Sequence, residues 1–74
     1  MSDDPKILQK LGENIRRKRV EASLTQEQLS EMASMDITNL QRIESGRYNT
    51  KALTLMRLQK ALEVSWEELF PELD

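Results

Sequence analysis

Two short stretches with helical spacing of apolar residues, Gln26 to Ala33 and Ile37 to Glu44, are separated by only about three residues, and this gap constrains the chain more than any other feature. Leu29, Met32 and Ala33 recur on one face of the first, and Leu40 and Ile43 on one face of the second. So short a connection does not let the helices lie antiparallel, and they must cross steeply. A steep crossing holds the second helix out from the body of the fold, with one face on the core and the other in solvent.

Helix signals continue on both sides. Asp4-Pro5 reads as an N-cap followed by proline at the first helical position, and Leu8, Leu11, Ile15 and the stem of Arg19 then recur at helical spacing. A first helix is expected from about Pro5 to Glu21 or Ala22, with Gly12 marking a close approach of another helix. Residues 1–4 have little to bury and are expected to fray. Thr25 with Gln28 makes a capping box before the second helix, Asp36 is the N-cap of the third, and Gly46 stands where a left-handed cap would close it. Thr50 can cap a fourth helix over about Lys51 to Leu62, with Ala52, Leu55, Leu58, Ala61 and Leu62 inside. Ser65 and Glu68 form a second capping box, after which Leu69 and Phe70 close the core and Pro71 stops the helix. The expected fold class is all-α: a compact five-helix bundle, one domain over residues 1–74.

The composition narrows the chemistry. The chain has 74 residues, so its core is limited and oligomerisation is a common remedy. It has no cysteine and no histidine, no glycine-rich phosphate loop and no paired-carboxylate pattern, so neither an enzyme, a metal site nor a cofactor is expected. No apolar run approaches a membrane span and no signal-peptide pattern opens the chain, which points to the cytoplasm. The net charge of −2 argues mildly against a nucleic-acid partner. Its distribution argues the other way. Residues 6–19 carry Lys6, Lys10, Arg16, Arg17, Lys18 and Arg19 against Glu13 alone, whereas residues 65–74 carry Glu67, Glu68, Glu72 and Asp74 with no base. Acid gathered at one end can point away from a phosphate backbone.

The paired helices over about residues 25–45 read as a helix-turn-helix, and the expectation is sequence-specific binding of duplex DNA. With Leu40 and Ile43 facing the core, Ile37, Thr38, Asn39, Gln41 and Arg42 supply the outer surface of the third helix. Its first turn carries base-reading chemistry: Asn39 can bridge adenine N6 and N7, Thr38 can bond several bases, and Ile37 can meet a thymine methyl. Arg42 can fork onto a guanine or grip a phosphate. The bland alternative for these residues is a solvated helix face, which suits Ile37 least.

Over Leu11 to Phe70 the chain closely resembles the Cro/CI-like, or XRE, helix-turn-helix family. The resemblance rests on Leu24-Thr25-Gln26-Glu27-Gln28-Leu29, Ala33, Leu40 and Ile43-Glu44-Ser45-Gly46, and further on Asn49, Leu55, Leu58, Ala61-Leu62, Val64-Ser65 and Glu68-Leu69-Phe70. It implies a cytoplasmic transcriptional repressor or activator, usually a homodimer on a pseudo-palindromic operator. It also implies that Gln26 reaches a phosphate or base edge and supports the third helix, and that the loop holding Ser45, Arg47, Tyr48, Asn49 and Lys51 grips phosphates. Tyr48 can alternatively pack over the junction between the third and fourth helices. At Arg19 and Glu44 the family has a partly buried salt bridge, and a guanidinium on an apolar stripe needs such a carboxylate. The chain departs from the family at Ser34 and Glu63, where glycine is usual.

Leu53, Met56, Trp66 and Leu73 are apolar residues beyond the needs of the core, and they suggest a dimer interface, or else a satellite of the core under the C-terminal tail. Arg16, Arg17 and Lys18 read as a solvated face from which one residue can reach a flanking phosphate. A second reading is an antitoxin-like module on the same fold that holds a toxin or other protein partner, with DNA binding secondary. The acidic C-terminal decade fits that reading.

Overall fold

The computed structural model describes residues 5–70. The expectations placed on Asp4, Pro71 and Leu73 lie outside them. The described residues form α1 (Pro5–Glu21), α2 (Gln26–Met32), α3 (Ile37–Glu44), α4 (Ala52–Leu62) and α5 (Trp66–Leu69), with no strand among them. None of these helices is long and apolar enough to cross a membrane. Leu11 and Ile15 from α1, Leu29 from α2, Leu40 and Ile43 from α3, Leu58 and Leu62 from α4, and Leu69 from α5 meet in one core with Ala33.

Both expected capping boxes are present. The Thr25 hydroxyl accepts from the Gln28 amide at 3.0 Å, while Gln28 Oε1 accepts from the Thr25 amide at 2.9 Å. Ser65 and Glu68 exchange the equivalent pair at the start of α5. Each box satisfies two amide donors that the first helical turn leaves open.

The two glycines set the distance between α1 and α3. A β-carbon on Gly12 would collide with the Ile43 carbonyl oxygen and lie 2.9 Å from that of Glu44. Gly12 thus lets the backbone of α1 rest on the C-terminal end of α3. Gly46 closes α3 with φ 76°, and a β-carbon there would lie 2.7 Å from Gln9 Cα. Ser34 (φ 53°) and Glu63 (φ 55°) adopt the left-handed conformation that glycine would adopt more easily, and so does Ser23 (φ 59°).

Several expectations are corrected. α2 ends at Met32 with Ala33 as its cap, and Met32 is exposed. α3 and α4 pack on the arc of Leu29, Ser30 and Ala33, so Ser30 takes the buried place expected of Met32. The Ser30 hydroxyl donates to the Glu27 carbonyl at 2.8 Å, which makes that burial tolerable. Thr50 does not cap α4. The chain enters the helix one residue later, with Lys51 at the N-cap position and no side-chain cap bond. Ala52 then stands in the first turn, beyond the reach of the core, and is exposed. Asp36 occupies the N-cap position of α3, but its carboxylate makes no cap bond. Phe70 follows α5 in extended conformation and stacks on Trp66 at 5.4 Å, so Leu69 alone fills the core there.

Candidate nucleic-acid interface

One buried carboxylate organises the end of α3. Glu44 Oε2 accepts from Arg19 Nε at 2.8 Å, and Glu44 Oε1 accepts from Arg19 Nη2 at 3.1 Å. The same oxygen accepts from Gln26 Nε2 at 3.1 Å, and Arg19 Nη1 donates to the Leu24 carbonyl at 2.9 Å. The fork geometry of the guanidinium matches the carboxylate in a bidentate pair, and its third nitrogen turns to the chain. Four segments meet in this cluster: α1, the connector before α2, the first residue of α2, and the last residue of α3. The side chains of Arg19 and Glu44 are only 12% and 4% exposed. The expected salt bridge is therefore present, and Gln26 belongs to it as well.

With its C-terminal end fixed this way, α3 presents one face to solvent. Leu40, Ile43 and Glu44 are buried. At about 100° per residue, the opposite direction falls on Thr38 and Arg42, flanked by Gln41. All three are exposed, as is Ile37. Asn39 is placed differently. It is half-buried and lines a shallow open groove with Ser30, Ser34, Asp36 and Thr54, at the side of α3 and not at its crest.

The segment after α3 runs beside this face. The Ser45 hydroxyl donates to the Arg42 carbonyl at 2.8 Å, and the Arg47 amide bonds the same carbonyl at 3.3 Å. Arg47, Asn49 and Lys51 are exposed, whereas Tyr48 is half-buried and packs against the core. The packing role weighed for Tyr48 is thus the one its ring has. The α4 N-terminus has no side-chain cap and no acidic residue in its first turn, and its N-cap residue is Lys51. Backbone N–H groups and a cation at one place make a locally positive corner suited to an anion.

Apolar groups are also exposed on α4 and on α5. Leu53 (55%) and Met56 (50%) lie on the outer side of α4, and Trp66 and Phe70 form an exposed aromatic pair at α5. Phe70 is exposed beside Trp66, whereas the sequence pattern places it in the core. α5 is held to α1 by Asn14 Nδ2, which donates to the Leu69 carbonyl at 2.9 Å, and by the Lys18–Glu68 ion pair at 3.7 Å. The Ser65 backbone amide and then the Lys18 charge hold the Glu68 carboxyl below its usual value.

Comparison with known proteins agrees with this geometry. A helix-turn-helix family profile matches residues 15–69. The HTH-type transcriptional regulator y4dJ of Sinorhizobium fredii is 38% identical over 64 residues, 86% of this chain and 83% of that protein. Among solved structures, the restriction-modification controller protein C.AhdI from Aeromonas hydrophila superposes with a TM-score of 0.81 at 30% identity, over 85% of this chain and 96% of that one. The hypothetical transcription factor NHTF from Neisseria superposes with a TM-score of 0.80 at 26% identity, over 96% and 84% of the two chains. The controller C.Esp1396I superposes with a TM-score of 0.76 at 33% identity, over 82% and 79%. The chain belongs to the XRE-type helix-turn-helix family, whose members are DNA-binding transcriptional regulators and not enzymes.

Arg19→Met is expected to lower the melting temperature by at least about 10 °C, because breaking a buried pair costs roughly 3–5 kcal/mol in a domain of this size. Arg17→Met, on the exposed side of the same helix, is expected to leave it within a few degrees. Adding Glu44→Leu to Arg19→Met is expected to restore part of the loss. Thermal denaturation followed by circular dichroism reads all four proteins. Equal melting points for the two single variants would show that the cluster does not hold the fold.

Proposed function

We propose that this chain is a cytoplasmic regulator that binds a palindromic operator as a symmetric homodimer, with α3 of each protomer in the major groove. The observation that carries this reading is the clamped α3, whose exposed crest holds Thr38, Gln41 and Arg42. Reading bases requires side chains held at a fixed angle to the groove, and the Arg19–Glu44–Gln26 cluster supplies that support. Thr38 and Arg42 are the leading base contacts, with Ile37 against a thymine methyl. Asn39, at the side of the helix, reaches only a base displaced toward α4. Gln41 joins the set because of its exposure next to Thr38 and Arg42.

Phosphates are gripped from two sides. On one, the α4 N-terminal amides act with Lys51, Asn49, Arg47 and Ser45, and Tyr48 supports the loop from beneath. On the other, Gln26 contributes. Its amide nitrogen has two N–H donors, of which one goes to Glu44 and the second serves a phosphate. With a net charge of −2, nonspecific affinity should be low and specific contacts should dominate.

Thr38→Ala is expected to weaken binding to a duplex selected from random sequence by about 1–3 kcal/mol and to make the selected site degenerate at one position per half-site. Lys51→Ala and Arg47→Ala are expected instead to weaken all duplexes alike and to reduce the slope of log K against log salt by about one unit per lost contact. Gel-shift titrations across a salt series measure both effects. Wild-type affinity for Thr38→Ala would remove α3 as the reading head. Absence of any salt-dependent binding by the wild type would favour the protein-binding reading, with a toxin or similar protein as partner.

The homodimer is proposed through α4 and α5. Leu53, Met56, Trp66 and Phe70 are the exposed apolar groups there, and a patch of this kind on a small domain favours a self-complementary contact. Two linked domains also engage the second half-site nearly intramolecularly, which a single small domain cannot do. The wild type is expected to sediment as a dimer with Kd of about 1 μM or tighter. Leu53→Glu with Trp66→Glu is expected to give a folded monomer with strongly reduced operator binding. A wild type that stays monomeric at about 100 μM, well above that Kd, with and without operator, would refute the dimer.

A further inference from the structure

We propose that Arg16 is a further phosphate contact, carrying the DNA interface beyond the helix-turn-helix onto α1. This rests on the DNA-binding reading above. The sequence offers four consecutive cations, Arg16, Arg17, Lys18 and Arg19, with nothing to separate them. The fold separates them. Arg19 is locked into Glu44 and the Leu24 carbonyl. Arg17 Nη2 donates to Asn14 Oδ1 at 3.0 Å. Lys18 bridges Glu21 at 3.4 Å and Glu68 at 3.7 Å. Arg16 is exposed, and among the described residues its guanidinium has neither a carboxylate nor a hydrogen-bond acceptor as partner.

Its position on α1 gives the unpaired charge a direction. Gln9 lies against Gly46, Gly12 against the Ile43 and Glu44 carbonyls, and Arg19 against the Glu44 carboxylate. These residues mark the side of α1 that meets the C-terminal end of α3. Arg16 follows Gly12 by four residues and precedes Arg19 by three, so it lies on that side, about 6 Å along the helix axis from the Gly12 contact. It flanks the same end of α3 from which Arg47 and the segment to Lys51 depart. A cation without an internal partner, beside the exit of a recognition helix, fits the phosphate oxygens of a strand running past α1. Of its neighbours, Arg19 is held in the buried cluster, and Arg17 and Lys18 lie about 100° and 200° further round the helix, off that side.

The experiment compares wild type, Arg16→Ala, Arg16→Lys and Arg17→Ala on two duplexes, one selected from random sequence by the wild type and one scrambled, across a salt series. Melting temperatures check that all variants are folded. Arg16→Ala is expected to weaken both duplexes by the same factor and to reduce the salt slope by about 0.9 per bound protomer. Arg16→Lys is expected to keep the slope, and so is Arg17→Ala. A folded Arg16→Ala with the wild-type slope, measured where the wild type itself binds with normal salt dependence, would overturn the role of Arg16 and leave the DNA reading standing. No salt-dependent binding by the wild type to either duplex would overturn both.

Discussion

The arrangement of this molecule depends on one carboxylate. Glu44 is the last residue of α3, nearly buried, and it is met by the guanidinium of Arg19 from α1 and the amide of Gln26 from α2. Arg19 in turn holds the Leu24 carbonyl just before α2 begins. A buried ion pair of this kind adds little net stability over an apolar pair of the same shape, because desolvation offsets most of its attraction. It does fix geometry. A sliding apolar contact would leave the angle between α2 and α3 free to vary, whereas a bidentate fork with two further hydrogen bonds does not. Gly12 completes the constraint by allowing α1 to touch the carbonyls of the same turn.

Fixing α3 at its C-terminal end leaves Ile37 and Thr38 of its first turn in solvent. The core takes Leu40 and Ile43, helical geometry puts Thr38 and Arg42 opposite them, and exposure adds Gln41 to that crest. The locally positive corner of Lys51 and the α4 N-terminus then lies one loop away in sequence. Exposed apolar surface lies elsewhere, on the outer side of α4 and on α5. The acidic residues Glu67 and Glu68 accompany that second surface, not the crest of α3. An overall negative charge is thus compatible with a helix suited to the major groove.

Much of this was legible in the sequence. The helix bounds followed from the 3.6-residue spacing and from local chemistry, Thr25 with Gln28 and Ser65 with Glu68, that needs no tertiary information. What was not legible depends on neighbours distant in sequence. Periodicity marks an apolar face on α2 but not which edge of it α3 and α4 will cover, so it puts Met32 inside and gives no sign that Ser30 is buried. The first turn of α4 extends past the core, which the apolar character of Ala52 cannot reveal. Phe70 stacks outward because α5 ends after Leu69 has filled the remaining space. Asn39 was read as part of the crest, but its side of the helix faces Thr54 of α4. The bonds from Asn14 to the Leu69 carbonyl and from Gln59 to the Val64 carbonyl leave no local signature at all. The clamp is legible from Arg19 on the apolar stripe of α1 together with the family resemblance, whereas the bond from Gln26 to Glu44 leaves no mark in the sequence.

The central claim is that a clamped α3 is the surface that meets DNA. Titrating the isotopically labelled protein with a duplex selected from random sequence, and following every backbone amide by two-dimensional NMR, tests it most directly. The largest shift changes are expected on residues 37–42 and 45–53, with smaller ones at Gln26 and Arg16. Changes centred on α4 and α5, with α3 unmoved, would contradict it.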